Sequence, residues 1–477
     1  VTRDVAYESL SYAMRAQLHE QLAQFVESQG AERFLDLLAF HYSQSDNQAK
    51  QREYLHKAGE AARAAFANAA AVDYFTRLLP LLDDPRGALE VHLQRGRVLE
   101  LQGQWPEAEA DYRAALALSG QIADAAAEAR CCRMLGTLCR LRGDYAAALP
   151  WLEQARAAFE RLDDGDGLGQ TLIEEGIVWL RQGEYADARR ASEAGLALAR
   201  AAADPRAAAL ALNSLAGIAL NQGDPETARG QFEESLALRR EIGDRVGISV
   251  SLNNLGIVAN RQGDVDATRA LFIECLALNR ALGDKQGVSA SLNNLGIIAN
   301  AGGDPVAARA LYEESLTLKR EMGDQRGIAM LLSNLGFVAH AQGDHATAQA
   351  RYEEGLALQR QMGAKPAIAT SLNNLGNLAI ERGDADGART SYRECLTLAR
   401  EIGEQVALVY SFAGLAAVMA QAADMPRAAT LAAAAETLRL RTGATWEPIE
   451  ASIFERTVTP ARAGMSMAAF DAAWSQG

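Results

Sequence analysis

The most regular feature of this chain is a pattern of apolar and polar positions that recurs every forty residues. The stretch SLNNLGIVANRQGD at 251–264 returns as SLNNLGIIANAGGD at 291–304. Leu252, Leu255 and Ala259 each have an apolar counterpart forty positions later. Residues three and four positions apart share one face of a helix, so the pattern predicts an amphipathic helix in each copy. A fixed period of this length is typical of a repeat architecture.

Glycines mark the register of the repeat from about residue 90 to residue 425. A glycine–acid pair such as Gly263-Asp264 recurs every forty residues, and a further pair such as Gly283-Asp284 follows it at about half a period. About eighteen residues lie between successive pairs, enough for a helix roughly 27 Å long at 1.5 Å per residue. No segment between the pairs has the pattern of a strand. The sequence therefore predicts an all-α solenoid of about ten helical hairpins.

The glycine–acid pairs also have the chemistry of helix ends. Gly263 suits the left-handed position just after a helix, and Asp264 suits the N-cap of the next helix. In two copies a proline, Pro225 or Pro305, follows the capping aspartate at the first helical position, where proline is tolerated. The pairs are therefore predicted to be the turns between helices.

The sequence pattern of the repeat resembles that of the tetratricopeptide repeat in its longer, forty-residue form. The first helix carries Leu252, Leu255, Gly256 and Ala259, and the second helix carries an alanine four residues before an aromatic, as in Ala308-Tyr312. The repeats are similar to those of Pins-type adaptors and kinesin light chains over roughly residues 50 to 445. The resemblance implies a right-handed superhelix, with aromatic side chains filling the space between successive hairpins. It also implies that the first helices line a concave groove.

Candidate binding residues follow from the positions of the asparagines. Residues at i, i+4 and i+7 share a helix face, so Asn253, Ile257 and Asn260 form a stripe. The stripes recur in the next three repeats, and the predicted ligand-binding residues are Asn253, Ile257, Asn260, Asn293, Ile297, Asn300, Asn334, Phe337, His340, Asn373 and Asn377. A side-chain amide donates and accepts, so it can pair with the backbone of an extended peptide. The resemblance implies that groove asparagines act in this way.

A structural interpretation of the same asparagines stays open. Side chains repeated at identical positions also suit a ladder that holds neighbouring hairpins together, or a recent duplication that has not diverged. The second asparagine of each pair points about 100° away from the first, toward the groove edge or toward the neighbouring first helix. Those residues are Asn254, Asn294, Asn334 and Asn374.

A column of arginines ends each second helix. The column contains Arg200, Arg240, Arg280, Arg320, Arg360 and Arg400. A cation in the last turn of a helix complements the helix dipole, and this stabilising role is the preferred interpretation. A basic rim for an acidic partner is the alternative.

Composition and motifs exclude several classes of function. The formal net charge of −14 opposes binding to a phosphate backbone, so no direct nucleic-acid contact is expected. No run of eighteen apolar residues is present, and no membrane partner is expected. Five cysteines are too few for a disulfide framework, which favours a cytoplasmic protein. Phosphate-loop, zinc-protease and CxxC motifs are lacking, so no enzymatic activity, metal or cofactor is predicted.

The two ends of the chain resemble a particular kind of regulator. Residues Ala6-Tyr7, Arg15, Leu18-His19, His41-Tyr42 and 58–71 match the stretch that joins a STAND-class signalling ATPase to its tetratricopeptide array. Arg462, Phe470, Ala473, Trp474 and Gly477 match the closing segment of such arrays, as found in bacterial adenylate-cyclase-like and LuxR-type regulators. The expected division is a connector at 1–50, a divergent first repeat at 51–88, the array at 89–448 and capping helices at 449–477.

These observations predict a non-enzymatic scaffold or sensor region of a larger bacterial ATPase, with a protein or peptide bound in the groove. The chain's start at Val1 fits a part of a longer protein that carries the ATPase module. A free-standing adaptor and a small-molecule sensor with an enclosed pocket are the alternatives. Self-association is possible, because near-identical repeats expose near-identical surfaces.

Overall fold

The computed structural model describes Tyr7, residues 9–65 and residues 67–477. Residues 1–6, 8 and 66 lie outside the described residues, and with them Ala6 of the N-terminal resemblance and Phe66 of the stretch 58–71. Every regular element in the described part is helical, which confirms the all-α prediction.

Twenty-four α-helices follow one another along the described chain. They are α1 (Tyr12–Ser28), α2 (Leu35–Ser43), α3 (Gln48–Ala64), α4 (Asn68–Leu78), α5 (Pro85–Leu101), α6 (Trp105–Gln121), α7 (Ala125–Leu141), α8 (Tyr145–Leu162), α9 (Gly165–Gln182), α10 (Tyr185–Ala201), α11 (Pro205–Asn221), α12 (Pro225–Glu241), α13 (Arg245–Arg261), α14 (Val265–Leu282), α15 (Lys285–Ala301), α16 (Pro305–Glu321), α17 (Gln325–Ala341), α18 (His345–Gln361), α19 (Lys365–Glu381), α20 (Ala385–Ile402), α21 (Gln405–Gln421), α22 (Met425–Thr442), α23 (Pro448–Ala463) and α24 (Met467–Gln476). Short 3-10 turns lie at Ala31–Arg33 and Leu79–Leu81.

The helices pack as consecutive pairs in two compact units, one ending at Asp244 and the other beginning at Arg245. In the first unit, α1 and α2 precede five hairpins, from α3/α4 to α11/α12. The second unit contains five hairpins, from α13/α14 to α21/α22, followed by α23 and α24. The described residues therefore form ten hairpins, the number that the repeat predicted.

The predicted turn chemistry is present at the helix ends. Gly263 has a φ of 78°, and the side chain of Asp264 accepts a hydrogen bond from the backbone N–H of Ala267 at 3.0 Å. This arrangement satisfies one of the backbone donors that the start of a helix leaves without an intrahelical partner. The glycine–aspartate pair thus ends one helix and starts the next.

Glycine and aromatic residues set the distance between the two helices of a hairpin. A Cβ atom on Gly296 would lie 2.6 Å from Cε1 of Tyr312, and Gly256 meets Phe272 at the same distance. The aromatic ring thus packs on the glycine of its own hairpin, and not only between successive hairpins as the resemblance implied. Tyr392 does both, because Gly414 of the next hairpin also lies against its ring.

The C-terminal helices cover part of the second unit. Helix α23 packs against α19 and α21, which are the first helices of the last two hairpins, and α24 packs on α22. Phe470 and Ala473 of α24 are buried together with Ala429 of α22. Apolar surface at the end of a solenoid has to be covered in this way.

Candidate partner-binding face

The structure places the predicted stripes on the first helices α13, α15, α17 and α19 of the second unit, and we call this surface the first-helix face. Burial differs along it. Asn260 and Ile297 are exposed; Asn253, Ile257, Asn300, Asn334 and Phe337 are partly buried; Asn293, His340, Asn373 and Asn377 are buried.

The paired asparagines form hydrogen bonds between neighbouring first helices. The Nδ2 atom of Asn294 donates to Oδ1 of Asn253 at 3.0 Å, and Nδ2 of Asn334 donates to Oδ1 of Asn293 at 3.0 Å. The second asparagine of one repeat therefore bonds to the first asparagine of the preceding repeat. These contacts form the structural ladder that the sequence left open, and they occupy one acceptor on each first asparagine.

The ladder changes at α17, where serine replaces the first asparagine. The hydroxyl of Ser333 donates to the carbonyl of Ala329 in its own helix at 3.1 Å. A hydroxyl is too short to take over the role of the amide, so this bond stays within one helix.

At α19 the asparagines contact α23, the first of the two helices that follow the last hairpin. The Nδ2 atoms of Asn373 and Asn377 donate to the same carboxylate oxygen of Glu450, at 2.8 Å and 2.7 Å. The hydroxyl of Tyr392 donates to Oδ1 of Asn377 at 2.7 Å, and burial raises the pKa of Tyr392, which keeps this donor protonated. Two predicted ligand-binding residues are thus already occupied by a side chain of the same molecule.

Two histidines lie close to the carboxylate of Glu381, the last residue of α19. The Nε2 atom of His340 lies 3.0 Å from Oε2 of Glu381, and Nε2 of His345 lies 3.7 Å from the same oxygen. Arg456 of α23 approaches the other carboxylate oxygen at 3.6 Å. His340 therefore faces a partner in the protein and is only 4% exposed, which separates it from the open residues Asn260 and Ile297.

Sequence reasoning did not single out Glu450. The residue is 7% exposed although it carries a charge, and its two amide donors lie more than seventy positions earlier in the chain. Because α23 lacks the forty-residue sequence pattern, the period does not predict which residues of α19 lie beside Glu450. The only available signal was an acidic residue in a segment predicted to cover an apolar end.

The forty-residue pattern matches a known repeat at the level of sequence. Tetratricopeptide repeat models match residues 87–161, 169–194, 208–242, 247–321 and 327–401. Together these ranges cover more than half of the chain. The chain belongs to the tetratricopeptide repeat family.

Solved structures of other tetratricopeptide proteins share the fold at low sequence identity. A Rap protein complexed with competence and sporulation factor is 14% identical, with a TM-score of 0.53 over 75% of this chain and 99% of that chain. The quorum sensor NprR from B. thuringiensis, in its apo form, is 12% identical, with a TM-score of 0.51 over 72% of this chain and 97% of that chain. The STAND protein PH0952 from Pyrococcus horikoshii, which has a tetratricopeptide repeat sensor, is 12% identical, with a TM-score of 0.50 over 76% of this chain and 56% of that chain. No curated protein matches the sequence significantly.

The arginine column joins the second helices of successive tetratricopeptide hairpins. The arginines that end α10, α14, α16 and α18 each form an ion pair with the glutamate thirty-four positions later, and the pairs are Arg200–Glu234, Arg280–Glu314, Arg320–Glu354 and Arg360–Glu394. These side chains are about half exposed, so each pair contributes about 0–1 kcal/mol. The pairs support the stabilising interpretation of the column.

The described residues contain no group of three or more His, Cys, Asp or Glu side chains arranged to hold a metal ion. None of the helices in the described part of the chain combines the length and the apolar character needed to cross a membrane.

Proposed function

We propose that this tetratricopeptide array is a non-enzymatic scaffold or sensor region that binds a protein or peptide on the first-helix face. The observation that carries the proposal is the arrangement on α13 and α15, where Ile257 and Ile297 each lie between two asparagines of the same stripe. Ile297, for example, is 43% exposed between the amides of Asn293 and Asn300. Amide side chains beside apolar side chains suit an extended polypeptide, because its backbone forms hydrogen bonds and its apolar side chains need apolar contacts.

The open part of the proposed site runs from Asn253 to Phe337. Asn260 is exposed and Asn300 is half-buried, so their amides are available to a partner. Asn373 and Asn377 belong to the site only after Glu450 has moved away, because its carboxylate accepts from both amides. Rap complexed with competence and sporulation factor provides an example of a ligand bound to this fold.

The same proposal assigns the array to a larger bacterial signalling or transcription-regulating ATPase of the cytoplasm. Helix α1 buries Ala16, Ala23 and Val26 and exposes an apolar row on another side, formed by Met14, Leu18, Leu22 and Phe25. Exposed apolar rows of this kind are typical of docking surfaces, which suits a neighbouring ATPase module. PH0952 combines a STAND protein with a tetratricopeptide repeat sensor.

Immunoblotting of the source cell with an antibody against this chain tests the assignment to a larger parent. A band far above 51.1 kDa supports a parent protein with further modules. A band at 51.1 kDa supports the free-standing adaptor instead.

The binding site is tested with the triple variant Asn260→Ala, Ile297→Ala, Asn300→Ala. These side chains are exposed or half-buried, so we expect the variant to keep its helical content while it loses at least about tenfold in partner retention from the source cell's lysate. The matched control is Glu313→Ala combined with Arg393→Ala, two exposed positions on second helices. Equal retention of all partners by the triple variant and wild type contradicts the site.

A separate variant distinguishes the ladder from the binding surface. Asn294→Ala leaves the Oδ1 of Asn253 without its donor, which we expect to destabilise the second unit by about 1 kcal/mol. Partner retention by the folded protein should change little, because Asn294 acts between the helices. Thermal unfolding measures the first effect, and the lysate experiment measures the second.

One observation favours a small-molecule sensor as the second candidate. A cavity of about 510 Å³ lies between α19, α21 and α23, lined by Phe337, Asn373, Tyr410 and Glu450 among others. Its volume falls in the range of ligand sites. Metabolite extracts that raise the melting temperature of wild type but not of Tyr410→Ala would favour this candidate.

A further inference from the structure

The cavity between α19, α21 and α23 has a strongly acidic lining. Its volume is about 510 Å³, and the carboxylates of Glu404, Glu447 and Glu450 line it. None of the described residues that line this cavity is a lysine, an arginine or a histidine. A cleft whose charges all have one sign attracts ligands of the opposite sign. The lining therefore favours a cation.

Glu450 is the most deeply buried of the three carboxylates. It is 7% exposed, whereas Glu404 is partly buried and Glu447 is exposed. Its Oε1 atom accepts from the amides of Asn373 and Asn377, and no described residue donates to its Oε2 atom. The amides are neutral, and a buried charge is stable only when a counter-charge compensates for the lost solvent. A cation beside Oε2 would supply that counter-charge.

The amide of Asn373 has an oxygen without a donor at the same place. Asn373 is 4% exposed and lines the cavity, and none of the residues that the structure describes donates to its Oδ1 atom. In the asparagine ladder the donor to such an oxygen stands forty-one positions later, as Asn294 does for Asn253. The residue forty-one positions after Asn373 is Gly414, where a Cβ atom would overlap the ring of Tyr392. Packing therefore leaves this oxygen to a donor from outside the chain.

Aromatic and aliphatic side chains form another part of the lining. Tyr410 and Val406 of α21 line the cavity, and the ring of Tyr410 stacks on that of Trp446, with 6.0 Å between the ring centroids. Burial, followed by the charges of Glu450 and Glu447, raises the pKa of Tyr410 to about 12. An aromatic ring beside carboxylates suits a cation that carries an apolar stem.

These features distinguish between kinds of cation. The three carboxylates do not belong to any group arranged to hold a metal ion in the described part of the chain. A quaternary ammonium suits an aromatic ring but has no N–H group for the oxygen of Asn373. A primary ammonium combines a positive charge with three N–H donors. It therefore matches both the carboxylate of Glu450 and the amide oxygen beside it.

We propose that this cavity binds an alkyl amine, whose primary ammonium donates to Oδ1 of Asn373 and to the carboxylate of Glu450. The alkyl chain lies along Tyr410 and Val406. Glu404 and Glu447, which are nearer to solvent, attract a second ammonium at the other end of a linear diamine. The inference rests on the second candidate function, a small-molecule sensor at this cavity, and it adds the chemical class of the ligand.

The amine would also connect two helices. Glu450 belongs to α23 and Asn373 to α19, so an ammonium bonded to both stabilises the position of α23 on α19. In that position Asn373 and Asn377 are occupied and unavailable to a polypeptide on the first-helix face. Binding of the amine should therefore oppose the extension of a bound polypeptide onto α19.

A free amine and a lysine side chain carry the same ammonium group, and the ligands used in the test distinguish them. Cadaverine, a linear diamine, represents the free amine. A lysine with an acetylated α-amine and an amidated carboxyl group represents the side chain. Hexamethylated cadaverine has the charge of cadaverine without its N–H donors. Calorimetry measures the Kd of each ligand for the 477-residue chain.

The protein variants separate the cavity from the acidic surface of the chain. Glu450→Gln removes the buried charge and keeps an oxygen that can accept from the amides. Glu455→Gln is the matched control, because it removes an exposed charge from the same helix. Glu404→Gln combined with Glu447→Gln decides the test if Glu450→Gln does not fold, because both positions are less buried.

We expect wild type and Glu455→Gln to bind cadaverine at least about tenfold more tightly than Glu450→Gln or the double variant does. Wild type should also prefer cadaverine to its hexamethylated form by at least about tenfold. Equal affinity for capped lysine would identify a lysine side chain as the source, and tighter binding of cadaverine would identify a free amine. At ten times the Kd, amide exchange in Pro448–Ala463 should slow about tenfold.

Three results overturn the inference. Equal affinity for cadaverine and its hexamethylated form shows attraction to the acidic chain without the N–H donors. Equal affinity of wild type, Glu450→Gln and the double variant places the ligand elsewhere. Absence of binding by cadaverine and capped lysine rejects the ligand class.

The metabolite experiment at Tyr410 separates this failure from that of the candidate function. If amines do not bind but metabolite extracts still raise the melting temperature of wild type and not of Tyr410→Ala, the cavity is a sensor for another ligand. If extracts have no effect either, the small-molecule sensor fails together with the inference. Polypeptide binding on the first-helix face is unaffected by both results, because Asn260, Ile297 and Asn300 lie on α13 and α15.

Discussion

At the scale of single residues, most helices of this array end in a residue with positive φ, and the identity of that residue affects the stability of the turn. Glycine occupies this position in most hairpins, as at Gly223 and Gly263. Alanine occupies it at Ala123, Ala203 and Ala423. The left-handed conformation costs an ordinary L-residue about 1–2 kcal/mol, because its Cβ crowds the following carbonyl oxygen.

We therefore expect Ala203→Gly to stabilise the turn between α10 and α11. Ala203 has a φ of 52°, so glycine relieves strain there of about 1 kcal/mol after its own entropic cost. Amide exchange around residues 200–206, corrected for intrinsic rates, should slow about fivefold. The neighbouring Ala202 has a φ of −78°, and Ala202→Gly is the matched control, which should accelerate exchange. If amide exchange changes equally in Ala203→Gly and Ala202→Gly, the backbone at Ala203 is not strained.

At the scale of helices, one carboxylate connects the N-terminal helices to the first hairpin. Glu27 of α1 accepts hydrogen bonds from Tyr42 of α2 at 2.7 Å, and from Lys50 at 2.7 Å and Tyr54 at 2.6 Å in α3. Bonding to Lys50 and then to Tyr54 lowers the pKa of Glu27 to about 2. A single side chain thus holds three helices through its ionised form.

This network predicts a stability change in acid. Because the pKa of Glu27 is lower in the folded chain than its ordinary 4.5, its contribution to stability is complete above about pH 4.5. The contribution is lost as the pH falls toward about 2. We expect the melting temperature of wild type to exceed that of Glu27→Gln at pH 6 and the difference to shrink between pH 4.5 and pH 2. A difference that does not vary with pH in this window would contradict the network.

Much of this fold could be predicted from sequence, because the features that repeat are local. The turn at Gly263-Asp264 and the contact of Gly296 with Tyr312 depend on residues close in sequence, and the period places them in every hairpin. The partner of Asn294 could not be predicted, because the distance and rotation between neighbouring hairpins decide which amides meet. The period predicts that Asn373 and Asn377 lie on one helix, but their contact with Glu450 arises from a segment outside the period.

At the scale of the whole molecule, the two ends of the described chain are covered in different ways. Helices α1 and α2 precede the first hairpin and leave apolar side chains such as Leu22 and Phe25 exposed. At the other end, α23 lies against α19 and α21, and the buried Ile453 joins the apolar cluster of the last hairpins. Helix α23 is therefore both a cover for apolar surface and an occupant of the proposed binding face.

The role of α23 as an occupant depends on Glu450, and this leads to our last prediction. Glu450→Ala removes the acceptor of two buried amides, on Asn373 and Asn377, and a buried donor without a partner costs about 1–3 kcal/mol. We expect amide exchange in Pro448–Ala463 to accelerate at least about tenfold, while exchange in the distant α13 stays unchanged. Glu455→Ala, an exposed position on the same helix, is the matched control and should leave exchange unaltered. If the two variants exchange alike, apolar packing alone holds α23, and its release would not require a ligand that competes for the amides of α19.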